Sequence, residues 1–307
     1  MPSPPPLADR PSAHRAGLKR RLDHLYRTFD RGFLQTDPLA FVHRYEDDAD
    51  REIAGFIAST LAFGNVRAIQ ASVGGVLAAM GPSLHARVDR FSPRADGAAF
   101  AGLYHRWIRS PDLAALMLVL RRMREEAGSV GGFFMQGYGE GDEDVGPALA
   151  SFSERARALA RDGEIPAPRR ERPGSVERFF SSPRDGSACK RLNLYLRWMV
   201  RDGDGLDVGL WRGVSRRQLV LPLDTHLARL ARALGLSSRK SPGWRMAVEA
   251  TRSLALFDPE DPVKYDFSLS RLGILDRCLH GRDALDCPKC PVRIRVRRAR
   301  RSSADPR

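Results

Sequence analysis

The chain has 307 residues, enough for one large domain or two modest ones with a real hydrophobic core, and its 42% hydrophobic content is that of a soluble globular protein. Its 51 Lys and Arg against 37 Asp and Glu leave a net charge of +14, carried mostly by arginine. That excess fits a polyanionic partner, above all nucleic acid, or else reflects an arginine-rich composition with no partner behind it. No apolar run is long enough to cross a bilayer, and MPSPPPLADRPSAHR lacks the apolar core of a signal peptide, so a cytoplasmic protein without a membrane partner is expected.

In chain order, residues 1–14 read as a disordered Pro-rich lead. Ile53, Phe56, Ile57 and Leu61 share one helical face closed by Gly64, and Asp47, Asp48 and Asp50 before it read as cap and dipole residues. Helices are predicted over 67–80, stopped by Gly81 and Pro82, over 112–127 after the start signal Ser110-Pro111, and over 144–161. A polar, Pro-rich loop covers 162–175. Leu192, Tyr195, Leu196 and Met199 then line one face of the helix that carries Lys190, with Tyr195 and Trp198 assigned to the core. DGDGLDVGLWRG is turn-rich. Leu227, Leu230, Ala231 and Leu234 form the next stripe, ended by Gly235, and helices over 242–256 and 262–276 complete an all-α chain with no alternating strands. The end RIRVRRARR, with Arg293, Arg295, Arg297 and Arg298, either holds phosphate backbones without reading sequence or is a solvated charged tail.

Two stretches carry candidate chemistry. In GSACKRLNLYLRWM, the small residues Gly186, Ser187 and Ala188 let backbone N–H groups approach a phosphate at a helix start, and Lys190 follows them. In LPLDTHLARLARALGL, Asp224 stands at the mouth of an apolar stripe. One reading makes Lys190 a surface lysine and Asp224 a helix cap. The other makes them an amine that attacks a sugar C1′ and a carboxylate that stabilises the cation formed as a base leaves. Spacing alone leaves both open.

Together these stretches resemble the centre of the helix-hairpin-helix DNA glycosylase superfamily, in particular its endonuclease III-like members. A glycine-rich hairpin there leads into a helix with a Schiff-base lysine, followed by an Asp-x-His motif; Lys190 matches the lysine, and Asp224, Thr225 and His226 match the motif. DREIAGFIASTLAFGNVRAIQASVGGVL is similar to the family's early helix pair and YDFSLSRLGILDRC to the helix leading into its iron–sulfur loop. As a whole the chain is similar to an uncharacterised bacterial family, domain of unknown function 2400, through its CKRLN, PLDTH and RLGI blocks. The superfamily resemblance implies two helical lobes, one from residues 15–48 with 222–291 and a helical barrel over 49–221, with 292–307 as a basic tail.

DNA would lie in the cleft between the lobes, held by Gly186, Ser187, Ala188, His226 and the tail arginines. The implied activity is excision of a damaged or mismatched base by a monomer, with Lys190 as nucleophile, AP-lyase chemistry and Asp224 as the essential carboxylate. The reading from another class is a non-catalytic nucleic-acid binder on the same fold, and the charge admits RNA as well as DNA. Ala188 stands where the family has its second hairpin glycine, and Arg184-Asp185 replaces its Leu-Pro lead. The longer connection from Lys190 to Asp224 holds Trp211, a base-stacking candidate or a hydrophobic plug. Asn65 and Arg67 stand near the place of the family's duplex-filling glutamine. Cys278, Cys287 and Cys290 match three of four cluster ligands, with Val296 in the fourth place; an iron–sulfur cluster with one other ligand, a zinc site completed by His280, or a remnant are the alternatives.

Overall fold

Local cap chemistry sets several helix starts in the structure, a computed structural model that describes residues 5–161 and 176–274. Helix α1 (Ser12–Thr28) is followed by two 3-10 segments, Arg31–Thr36 and Pro38–Arg44, started by the side chains of Asp30 and Asp37. Asp47 caps α2 (Asp48–Thr60), and Asn65 caps α3 (Val66–Met80) by accepting from Ala68 N at 2.8 Å. Gly81, at φ 86°, ends α3 in a conformation closed to most other residues. After α4 (Leu84–Asp89) and α5 (Pro93–Asp96), β1 (Tyr104–His105) and β2 (Ile108–Arg109) pair antiparallel. This small hairpin corrects the expectation of a chain without strands. It has no alternation to reveal it, and is pinned instead by buried His105 between the Phe63 carbonyl and the Ser72 hydroxyl.

Beyond it come α6 (Ser110–Ala127), α7 (Val130–Met135), α8 (Gly146–Arg161), α9 (Lys190–Val200), α10 (Thr225–Leu234), α11 (Trp244–Ala255) and α12 (Asp266–Ile274). The all-α expectation holds, because these helices make up most of the described chain.

Helix α2 is enclosed almost all round, and it carries a buried carboxylate rather than a second polar face. Glu52 accepts from Val130 N and Gly131 N at 3.0 and 2.8 Å, supplying the cap that α7 needs, and from Trp211 Nε1 at 2.8 Å. Trp211 is therefore the hydrophobic plug and not a base-stacking platform: its ring is buried, stacks on Phe134 and meets Tyr195 edge-on. Helix α9 packs across α2 at Gly55, where a Cβ would come within 2.8 Å of Met199 Cε.

The two ends of the described chain meet. Helix α1 packs on α12, with Tyr265 Oη donating to Asp23 at 2.6 Å and the Tyr26 and Tyr265 rings edge-to-face. Within the lead, Leu7–Asp9 form a 3-10 turn in which Leu7 is completely buried and its N–H bonds to Gly235 O at 2.9 Å. Burying that leucine is worth roughly 2 kcal/mol, enough to fix a short Pro-rich segment whose prolines have already limited its freedom.

Candidate functional site

The hairpin before α9 turns on two left-handed residues, Gly186 at φ 74° and Cys189 at φ 48°. Cys189 holds this strained conformation because its side chain is buried, its N–H bonds to Ser187 Oγ at 3.1 Å, and Asn193 Nδ2 ties down the Ala188 carbonyl at 3.0 Å. Burial pushes the Cys189 thiol up to about 11. The N–H groups of Ser187 and Ala188 have no acceptor among the described residues, so they remain available to an anion. The segment leading into the hairpin, where Arg184-Asp185 replaces the family's Leu-Pro lead, is a single 3-10 turn, Pro183–Asp185. The turn sets Lys190 at the first position of α9 and directs it into a cleft.

The cleft has a volume of about 670 Å³. Its apolar wall is made by Phe63, Val66, Ile69 and Leu194, and its polar floor by Asp37, Lys190, Arg197, Asp224, Asp266 and Arg271. Lys190 Nζ donates to the Ala62 carbonyl at 2.7 Å. Burial pushes its ammonium below the ordinary lysine range, while Asp224, Asp266 and Asp37 pull it back up. Asp224 is the N-cap of α10, with Oδ1 accepting from Leu227 N at 2.8 Å, so its capping and cleft-facing roles coexist.

The other two carboxylates are tied to buried guanidiniums. Arg271 donates to Asp37 and, at 2.9 Å, to Thr36 Oγ1. Arg197 donates to Asp266 and, at 3.2 Å, to Asp207. Asp266 is nevertheless pushed up to about 6 by burial, with Arg197 opposing the rise and Asp224 adding to it. Asp224 alone of the three has no cationic partner within ion-pair distance among the described residues. Of these three, it is the carboxylate free to face a further cationic group in the cleft.

The cleft thus gathers Lys190, Asp224, Ala188 and His226, residues singled out from sequence. Burial lowers the His226 imidazole, Asp224 opposes that, and its Nε2 is buried without a partner. Sequence reasoning missed Asp37, Arg197, Asp266, Arg271 and Phe63. The available signal was two arginines and an aspartate inside the apolar helical patterns of LRWMVR and YDFSLSRLGI. Asn65 spends its side chain on the α3 cap and Arg67 is exposed; neither lines the cleft. Behind Phe63, Trp107 stacks at 6.0 Å between centroids, and Arg191 lies 5.3 Å over the Phe63 ring.

Cys278, Cys287, Cys290, His280, Val296, Arg293, Arg295, Arg297 and Arg298 lie outside the described residues, as does the loop 162–175. Among the described residues, Asp47, Asp50 and His85 bring ligand atoms within 4.8 Å of one another, and Asp50 Oδ1 accepts from the His85 backbone N–H at 2.8 Å and lies 2.8 Å from its Nδ1. No helix among the described residues is long and apolar enough to cross a membrane. The family described as protein of unknown function (DUF2400) matches residues 37–275. Neither the curated proteins nor the solved structures gave a match.

Proposed function

The chain belongs to the DUF2400 family, whose description carries no activity, and from the cleft we propose that it excises a damaged or mismatched base from DNA, with AP-lyase chemistry at Lys190. The observation that carries this reading is the convergence of Lys190 and an unpaired Asp224, from separate helix starts, on one cleft with an apolar wall. The resemblance of the GSACK hairpin and the Asp-Thr-His motif to helix-hairpin-helix glycosylases supports it, as does the arginine-rich charge.

An extruded nucleotide lays its base against Phe63 and Leu194 and its sugar over Lys190. Lys190, released from the Ala62 carbonyl and deprotonated, attacks C1′ as the C1′–N bond breaks and its electron pair leaves with the base. Asp224 stabilises the positive charge that gathers on the sugar. The ring then opens to an imine, and loss of a C2′ proton expels the 3′ phosphate. Ser187 and Ala188 N–H groups hold a phosphate beside the extruded nucleotide.

The test is a set of duplexes carrying oxidised, alkylated and mismatched bases, scored for free base and for strand cleavage. Release from at least one lesion, lost in Asp224→Asn, supports excision; intact duplexes throughout contradict it. The 3-10 turn before the hairpin and the alanine at 188 favour a second reading, a nucleic-acid binder that has lost excision. Tight binding of every duplex with no base released would establish that reading instead.

A further inference from the structure

A second concavity, of about 590 Å³, lies between the Gly186 hairpin and the start of α11. Arg184, Arg239, Lys240 and Arg245 line it, and no carboxylate does. Arg184 and Arg239 are anchored from outside by Glu154 at 2.8 Å and Glu249 at 2.9 Å. Lys240 and Arg245 are exposed and have no ion-pair partner among the described residues. Two exposed cations without carboxylate partners on one groove attract an anion.

The groove adjoins the cleft. Ala188 and Pro242 line the cleft, while Gly186, Ser241 and Gly243 line the groove, so one thin ridge of hairpin and loop separates them. Backbone contacts hold that ridge: Trp244 N donates to Gly186 O at 3.0 Å, and a Cβ at Gly243 would come within 2.8 Å of the same oxygen.

We infer that this groove seats the phosphate backbone of the DNA strand whose nucleotide enters the cleft, with Lys240 and Arg245 as its phosphate contacts. The inference rests on the base-excision reading for its choice of DNA, and it requires only binding, not chemistry. A single free anion would need one cation and a pocket. A strand is favoured because four cations line one groove that adjoins the cleft.

The experiment is fluorescence anisotropy with a duplex containing an uncleavable tetrahydrofuran abasic analogue, titrated at several salt concentrations. Three full-length proteins are compared: wild type, Lys240→Glu with Arg245→Glu, and a control with Arg90→Glu and Arg94→Glu. The control makes the same change in net charge at exposed positions that line neither the cleft nor the groove. Matching circular dichroism melts confirm that all three are folded. The groove variant is expected to lose about 1.8 from the slope of log Kd against log salt, for two phosphate contacts, and to bind about tenfold more weakly at low salt.

Equal slopes in the groove variant and the control overturn the inference. So does tighter binding of a duplex RNA of the same sequence with the same loss of slope, because the groove would then belong to RNA. A wild type that binds no duplex overturns both this inference and the base-excision reading. A reduced slope in the groove variant, from a wild type that releases no base from any lesion, leaves the groove standing and removes excision.

Discussion

Burial acts in opposite directions at the floor of the cleft: it makes the Lys190 ammonium easier to deprotonate and the Asp266 carboxyl harder to ionise. Adduct formation by Lys190 should therefore rise with pH through a midpoint below the ordinary lysine range, as a rate profile on an abasic duplex would show. Asp266, raised to about 6, binds its proton more tightly folded than unfolded. Its contribution to stability is full below about 3.9, the unfolded value, and is lost as pH rises through about 6, a change of roughly 3 kcal/mol. Urea midpoints at pH 4 and 7 should show this loss in wild type and a flatter profile in Asp266→Asn; parallel profiles would contradict the assignment. Cys189, held as a thiol by a value of about 11, should resist alkylation at neutral pH until the protein is unfolded. At this scale Lys190 and Asp224 were legible because each stands at a helix start within a motif. Arg271 and Asp37 were not, because the partner that makes each burial tolerable lies 234 positions away.

Helix α2, which leads into Ala62 and Phe63 of the cleft, is tied to α7 and Trp211 through one carboxylate. Glu52→Ala would leave three buried donors unpaired, at about 1–3 kcal/mol each, so a loss of several kcal/mol is expected in chemical denaturation. Glu52→Gln, which keeps an acceptor oxygen, should lose less; equal losses would show that the carboxylate is not the clamp. Helix existence was readable from apolar periodicity, and helix ends from Asp47, Asp224, Gly81 and Gly235. The role of Trp211 was not, since a tryptophan in a Gly- and Asp-rich stretch looks equally like a stacking surface and a plug. Its burial depends on Glu52, which sequence pattern places on α2 without a partner. The 3-10 turn before the hairpin was equally hidden, because Pro183 starts a 3-10 turn and an α-helix alike.

For the whole molecule, closing the ends of the described chain on one another builds the floor of the cleft. Asp37 follows the N-terminal helix, Asp266 and Arg271 come from α12, and Lys190 and Asp224 come from between them. Periodicity reads each helix alone, so this assembly was beyond its reach. Leu7 shows the same limit: its proline-rich context looked unstructured, and it is burial and the distant Gly235 carbonyl that give it a place. The central claim is that Lys190 is a nucleophile toward a deoxyribose C1′, and borohydride trapping tests it most directly. The full-length protein is incubated with a duplex carrying an aldehydic abasic site, reduced, digested and mapped by mass spectrometry. The account predicts a covalent adduct on Lys190 that is absent in Lys190→Ala, while that variant still binds the duplex. No adduct from wild type, or an adduct that persists in Lys190→Ala, would contradict it.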